Sequence, residues 1–365
     1  GEVLLVGDVD VTTQDLFADV SLLSGIGKAE AVLNLNGFND KDNVLYNGDI
    51  VLDDFNIGHL LSQKSLKKAT LSLSVDGKGF TKKGLDTSVI GFVDKFYFSG
   101  YTYTNIEIDG NFKLPYFKGY LNSNDPNLKM DFSGLINLQD QHKEFDFTAH
   151  VDYANLHLFN IRKKDETAIF RGNFKVKAEG NSIDDIEGVA IITDVAVMTT
   201  NKDYFFDDFE ITSSFDDQKI RTVTIDSPDI ISGKVSGIFK VNQVSQLVQN
   251  ALGSLFANYS PYKLSAGQFF DFDFSIYNKI IEVFDSRINV AEQTHLKGRI
   301  DGDQNDFKMN FTSPELLIYN NGFENVNLQI NNKNPLFNTY IEMDSLKMAN
   351  YKISDFSLIN LTMND

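Results

Sequence analysis

Few residues of this 365-residue chain have the types and spacing that chemistry needs. The five histidines, His59, His142, His150, His157 and His295, are scattered. None has a second histidine at ligand spacing, so they read as surface or turn residues. Asp301-Gly302-Asp303-Gln304-Asn305-Asp306 resembles a calcium loop, but Asp306 stands where the sixth-position glycine belongs and Thr312 where the bidentate acid belongs. It reads as a solvated turn. Gly25-Ile26-Gly27-Lys28 lacks the length and the Ser or Thr of a phosphate loop, and there is no Gly-x-Ser-x-Gly. With no cysteine there are no disulfides, no thiol catalysis and no Cys-based metal sites. The chain is expected to be no enzyme and to use no cofactor and no metal.

One polar pattern does recur: Asn or Asp, an apolar residue, any residue, then Ile or Leu. It occurs at Asp54-Phe55, Asn105-Ile106, Asn155-Leu156, Asp208-Phe209, Asn325-Val326 and Asp355-Phe356. Short polar side chains tolerate turn dihedrals, so each is expected to open a strand at a turn. Asp76-Gly77, Asp109-Gly110, Asn124-Asp125-Pro126, Asn320-Asn321-Gly322 and Asn331-Asn332 are read as further turns.

Between these signals apolar residues alternate strictly, at Leu71, Leu73, Val75, at Phe145, Phe147, Ala149, Val151, and at Phe270, Phe272, Phe274, Ile276. Such segments are strands with one apolar and one polar face, and Asp271, Asp273 and Ser275 should lie on the polar side. The pattern repeats at an offset of 103: Leu71, Leu73, Val75, Gly77 return as Phe174, Val176, Ala178, Gly180, and Phe132-Ser133-Gly134-Leu135 as Val235-Ser236-Gly237-Ile238. A constant offset over that length marks a repetitive β architecture. One strand per roughly 10 to 14 residues gives about 25 to 30 strands, more than an open sheet holds without curling. Helical pattern is confined to Gln243–Asn258 and a shorter stretch at His59–Lys68.

Thirty-one Phe, 14 Tyr and no Trp suit strands, and a net charge of −18 argues against nucleic acid or anionic headgroups as partners over broad surfaces. No run reaches the roughly 18 to 20 apolar residues of a membrane-crossing helix. Strand pattern at both ends suggests a segment of something longer. Residues 1–365 are expected to form one continuous repetitive unit, with repeats near 53–151 and 152–255 and a less regular 256–365.

Three stretches carry a family resemblance. They are Phe270-Asp271-Phe272-Asp273-Phe274-Ser275-Ile276-Tyr277-Asn278, Leu328-Gln329-Ile330 with Lys333-Asn334-Pro335, and the ending Ile353 to Asp365. Together with Asn124-Asp125-Pro126-Asn127-Leu128 they resemble TamB-like proteins of Bacteroidota, relatives of the AsmA-like and bridge-like lipid-transfer proteins. The resemblance implies a periplasmic protein anchored to the inner membrane by a helix outside this segment. It implies a hydrophobic β-groove that carries phospholipid toward an outer-membrane barrel of the TamA type.

The combined expectation is an all-β fold, a long curled antiparallel sheet with a U-shaped cross-section and one or two short helices. Acyl chains would lie on Leu71, Leu73, Val75, Phe145, Phe147, Phe174, Val176, Phe270, Phe272, Phe274, Ile276, Val326, Leu328 and Ile330. A charge at Phe272 is expected to block transport more than folding. The competing expectations are an assembly factor or chaperone that binds β-proteins by strand addition, and a closed adhesive solenoid.

Overall fold

Every strand must satisfy its backbone N–H and C=O groups through a neighbour, and short turns make that neighbour the next strand in sequence. The computed structural model describes residues 3–361 except 61–63, 82, 114, 160–166 and 257. It is all-β: 23 strands and three short α-helices among the described residues, with antiparallel pairings throughout. The final four residues of the family-like ending, Thr362 to Asp365, lie outside the described residues.

The chain divides into two compact units, Gly1–Lys177 with Val195–Asp203, and Ala178–Asp194 with Tyr204–Asp365. The first holds β1 (Leu4–Val11), β2 (Asp15–Ser24), β3 (Gly27–Asn36), β4 (Leu45–Asn56), the one-turn helix α1 (Ile57–Leu60), β5 (Leu66–Lys78) and β6 (Asp86–Phe98). It continues with β7 (Tyr101–Lys113), β8 (Tyr116–Asp125), β9 (Leu128–Gln139), β10 (His142–Asn155) and most of β11 (Ile169–Gly180). From β1 to β10 each strand pairs with the next. Among the described residues β1 pairs with β2.

In the second unit β12 (Glu187–Met198), shared between the units, is followed by β13 (Asp203–Phe205), β14 (Phe209–Phe215), β15 (Arg221–Asp226) and β16 (Ile231–Ile238). A single 3-10 turn, Val241–Gln243, leads into α2 (Val244–Gly253). Then come β17 (Phe269–Ile276), α3 (Asn278–Phe284), β18 (Ile288–Val290), β19 (Thr294–Asp301), β20 (Asp306–Ile318), β21 (Asn321–Asn331), β22 (Thr339–Lys347) and β23 (Lys352–Asn360). The ladder runs β12, β14, β15, β16, β17, β19, β20, β21, β22, β23, with β18 also on β20.

The Asn or Asp pattern marks something other than strand openings. Asp54, Asn105, Asn325 and Asp355 lie inside β4, β7, β21 and β23 at φ of 48°, 54°, 52° and 54°. They are left-handed residues within bulges, a conformation Asn and Asp tolerate better than other non-glycine residues. Leu52 pairs with Leu71 and Phe55 with Ala69, so three β4 residues span two on β5. Phe55 and Ala69 are both buried, at 4% and 1% exposure, so the extra residue lets the apolar side continue past the break. Only Asn155 and Asp208 fit the turn reading: Asn155 Oδ1 accepts from the His157 and Leu158 amides, and Asp208 precedes β14.

Asp76-Gly77 and Asp109-Gly110 likewise sit within β5 and β7 rather than at turns. Gly110, Gly119 and Gly134 face one another across β7, β8 and β9. A Cβ on Gly119 would lie 2.4 Å from the Gly110 Cα, and one on Gly134, at φ +137°, 2.3 Å from the Asp146 carbonyl oxygen. The phenyl rings of Phe112, Phe117, Phe132 and Phe147 form a ladder along the same strands, with centroid spacings of 4.8, 5.8 and 5.3 Å. Close backbones and overlying rings are what a tightly coiled stretch of sheet requires.

Replacing Gly134 by valine should therefore lower the stability of the first unit by about 3 kcal/mol or more, from backbone strain and steric conflict together. A urea titration would show the loss as an early transition; a wild-type midpoint would contradict the close approach.

Candidate functional site

Directly opposed residues of antiparallel strands share a face, so register alone assigns the sides. One row runs Gly7, Val20, Ala31, Ile50, Leu73, Gly91, Ile108, Leu121, Phe132, Ala149 from β1 to β10. The flanking rows carry Leu22, Leu52, Leu71, Val93, Ile106, Met130 and Val151 on one side, and Val9, Leu33, Val75, Val89 and Phe147 on the other. Phe145 belongs to the next row, opposite Ile136. The register thus brings Leu71, Leu73, Val75, Phe145 and Phe147 onto one apolar face. These five are half-buried rather than buried.

Phe174 and Val176 on β11 follow the same rule. Asn173 reaches the His150 ring, which stands on the polar side opposite Asp131, so the even-numbered neighbours point the other way. Phe174 and Val176 are half-buried between the exposed Lys175 and Lys177.

In the second unit Phe270, Phe272, Phe274 and Ile276 share a face with Ile300, Gly298, Leu296 and Thr294 of β19. Leu328 and Ile330 continue it through Phe311 and Met309 of β20. Here the face is covered. Helix α2 lies on it, with Leu247 and Ala251 at 1% and 5% exposure packed in one core with Phe270, Phe272, Ile300, Phe307 and Ile330. Gly302 leaves the room: a Cβ there would sit 2.9 Å from Leu247 Cδ1. Val326 lies in a separate small core with Met343 and Leu346.

The expected helix at 243–258 is therefore present but shorter, whereas the one at 59–68 reduces to α1, with 61–63 outside the described residues. At the sequence offset of 103, the residues of strand β10 correspond to those of α2. Phe272, at 8% exposure beneath that helix, is a core residue, so a carboxylate there would break packing rather than test an open face. Sequence reading did not include α2 or the Phe112, Phe117 and Phe132 rings among the residues of the face; their alternation with polar residues was the available signal.

The opposite side of β17 and β19 carries charge. Asp271 accepts from Arg299 at 2.7 Å, and Asp273 meets His295 at 2.7 Å and Lys297 at 3.2 Å. Burial alone would raise the Asp273 carboxyl, but hydrogen bonds from Lys297 and His295 outweigh it and hold it below its ordinary value. Asp271, Asp273 and their partners are at least one-third exposed, so this is a solvated polar face, worth little in stability.

The most enclosed acid is Asp125, which has no exposed surface. It accepts from Tyr101 Oη at 2.6 Å, the Thr104 amide at 2.7 Å, Thr104 Oγ1 at 2.9 Å and the Asn127 amide at 2.7 Å. Four donors on one carboxylate make a structural tie between the β8–β9 turn and the start of β7. The Asp301–Asp306 turn is likewise structural: Asp301 accepts from the Gln304 amide and Asp303 from the Gly267 amide. No group of three or more acids or histidines that could hold a metal occurs among the described residues.

No known protein family, curated protein or solved structure matches the chain.

Burial and the bond to Asp125 push the Tyr101 phenol up to about 12. A raised folded-state value means the stabilisation is fully present below the ordinary tyrosine value near 10 and is lost as pH climbs from there toward about 12. Wild-type unfolding midpoints should fall across that window, whereas Tyr101→Phe should start about 1 to 2 kcal/mol less stable and fall less steeply. Parallel slopes for the two proteins would refute the assignment.

Proposed function

We propose that the chain holds and conducts phospholipid acyl chains on the apolar face of its first unit. The observation that carries this reading is that ten consecutive strands keep apolar residues on one side, row after row from β1 to β10, while positions such as Leu71, Leu73, Val75, Phe145 and Phe147 stay only half-buried. Four rows along a strand span about 20 Å, comparable with an extended acyl chain. Each methylene moved from water onto the face contributes about 0.8 kcal/mol, and the attraction has no preferred direction, so a chain can shift along the rows.

The resemblance to TamB-like proteins supports the same reading. Within that proposal the setting is the periplasm, with an inner-membrane anchor outside this segment and a TamA-type outer-membrane barrel as partner. Phe174 and Val176 extend the lining; Phe270, Phe272 and Ile330 belong to the helix-covered part, with Phe274, Ile276, Val326 and Leu328 around it.

Lipid extraction and mass spectrometry of the natively purified chain, with Leu73→Asp and Phe147→Asp alongside, tests the proposal. Wild type should retain phospholipid, and each variant should lose most of it while keeping its circular dichroism spectrum. Folded variants that carry as much lipid as wild type, or a wild type that carries none, would sink it.

A further inference from the structure

A second site lies on the polar side of the same strands. At the ends of β4, β5 and β6 a depression of about 300 Å³ is lined by Lys67, Lys68, Lys95, Asn56, Thr70 and Tyr97, with Asp54 at its edge and Ala69 and Thr102 completing it. Three lysines line it in a chain of net charge −18.

The grouping is built by the backbone. Register slips between Leu52 and Phe55 on β4, and at two places in the β5–β6 pairing, between Leu66 and Ala69 and between Thr70 and Leu71. Bulges of this kind re-aim side chains and gather next to functional sites. They turn Phe55 and Ala69 into the buried side while Thr70 stands opposite Lys95 and Asn56 opposite Lys68.

The polar inventory of the depression is biased toward donors. Among the described residues Lys68 is paired with a carboxylate, that of Asp54. Lys67 lies over the Tyr97 ring at 4.4 Å, and among the described residues neither Lys67 nor Lys95 is in an ion pair. Thr70 Oγ1 accepts from the Asp54 amide, which leaves its proton to donate, and Asn56 Oδ1 accepts from the His59 amide, which leaves its NH2 group free to donate. Cations gathered without matching acids, beside free hydroxyl and amide donors, are the complement of a tetrahedral oxyanion.

We propose that this depression binds a phosphate group, a phosphomonoester or phosphodiester. The site does not depend on the apolar face and stands or falls separately from it. Calorimetric titration of the whole chain with inorganic phosphate and with water-soluble dihexanoyl phosphatidylglycerol tests it. Flotation with vesicles of phosphatidylglycerol and phosphatidylcholine separates the two sources.

Lys67→Gln with Lys95→Gln should weaken binding about tenfold or more, as loss of charge-assisted bonds does. Lys118→Gln with Lys175→Gln, the same charge change elsewhere, should leave it within about twofold. Binding of inorganic phosphate as tightly as of the lipid would identify a soluble phosphate as the ligand; binding of the lipid and vesicles alone would identify a headgroup. No binding of either probe by wild type at about 10 mM, or equal weakening by the two double variants, would overturn the proposal. Leu73→Asp should keep this binding even where it loses acyl chains, so the two sites can fail independently.

Discussion

Parity is the constraint on which everything else in this chain rests. In an antiparallel ladder a one-residue slip sends every later side chain to the wrong face, so an apolar side maintained over ten strands requires that each irregularity be matched by its neighbours. The left-handed Asn and Asp residues do this. Phe323, Met343 and Ile353 lie three residues from Val326, Leu346 and Phe356, and all are apolar. Asn325 and Asp355 stand within those steps at positive φ, and Asn325 Nδ2 donates to the Asp344 carboxylate at 2.6 Å. The polar residue inside a strand is thus the device that keeps the apolar side continuous, and on β4 one of these residues, Asp54, borders the lysine depression.

The two units solve the exposure of that side differently. In the first, the glycine row and phenyl ladder of β7 to β10 bring backbones and rings close together, and Val89, Ile108 and Phe132 reach 8%, 9% and 7% exposure with no helix among the described residues packed on them. In the second, the segment equivalent to β10 leaves the sheet as α2 and covers the face from above, while β17 takes the vacated place beside β16. A strand and a helix at equivalent sequence positions differ in period: Val244, Leu247, Val248 and Ala251 recur every three or four residues, whereas Phe145, Phe147, Ala149 and Val151 recur every two.

That difference in period is why much of the architecture could be read from sequence. Strand identity, the apolar set and the helical segment follow from local spacing, and the acids of β17 fall on the solvent side as their alternation requires. What local spacing does not encode is where two backbones come close. Asp76-Gly77 and Asp109-Gly110 have the residues of a hairpin turn, yet the glycines are there because a Cβ would strike the adjoining strand. Nor does spacing say that α2 returns onto Phe270 and Phe272, since the contact joins residues about 20 apart through a loop. The Lys67, Lys68 and Lys95 grouping was illegible for the same reason: it exists only once bulges on adjacent strands have set their register.

The choice between an acyl chain and a peptide as occupant of the apolar face turns on hydrogen bonding. Every interior strand from β2 to β9 is paired on both sides, so its backbone groups are committed within the sheet and the face above offers carbon surface almost alone. A peptide laid there would desolvate its own amides with nothing to receive them, at a cost of roughly 1 to 3 kcal/mol for each unsatisfied group. Peptide binding by strand addition is therefore favourable only at an unpaired strand edge. An acyl chain has no such groups to lose, and for it the whole face is usable. The chemistry of the face and the chemistry of the edge are distinct, and the lipid reading draws its strength from the far larger of the two.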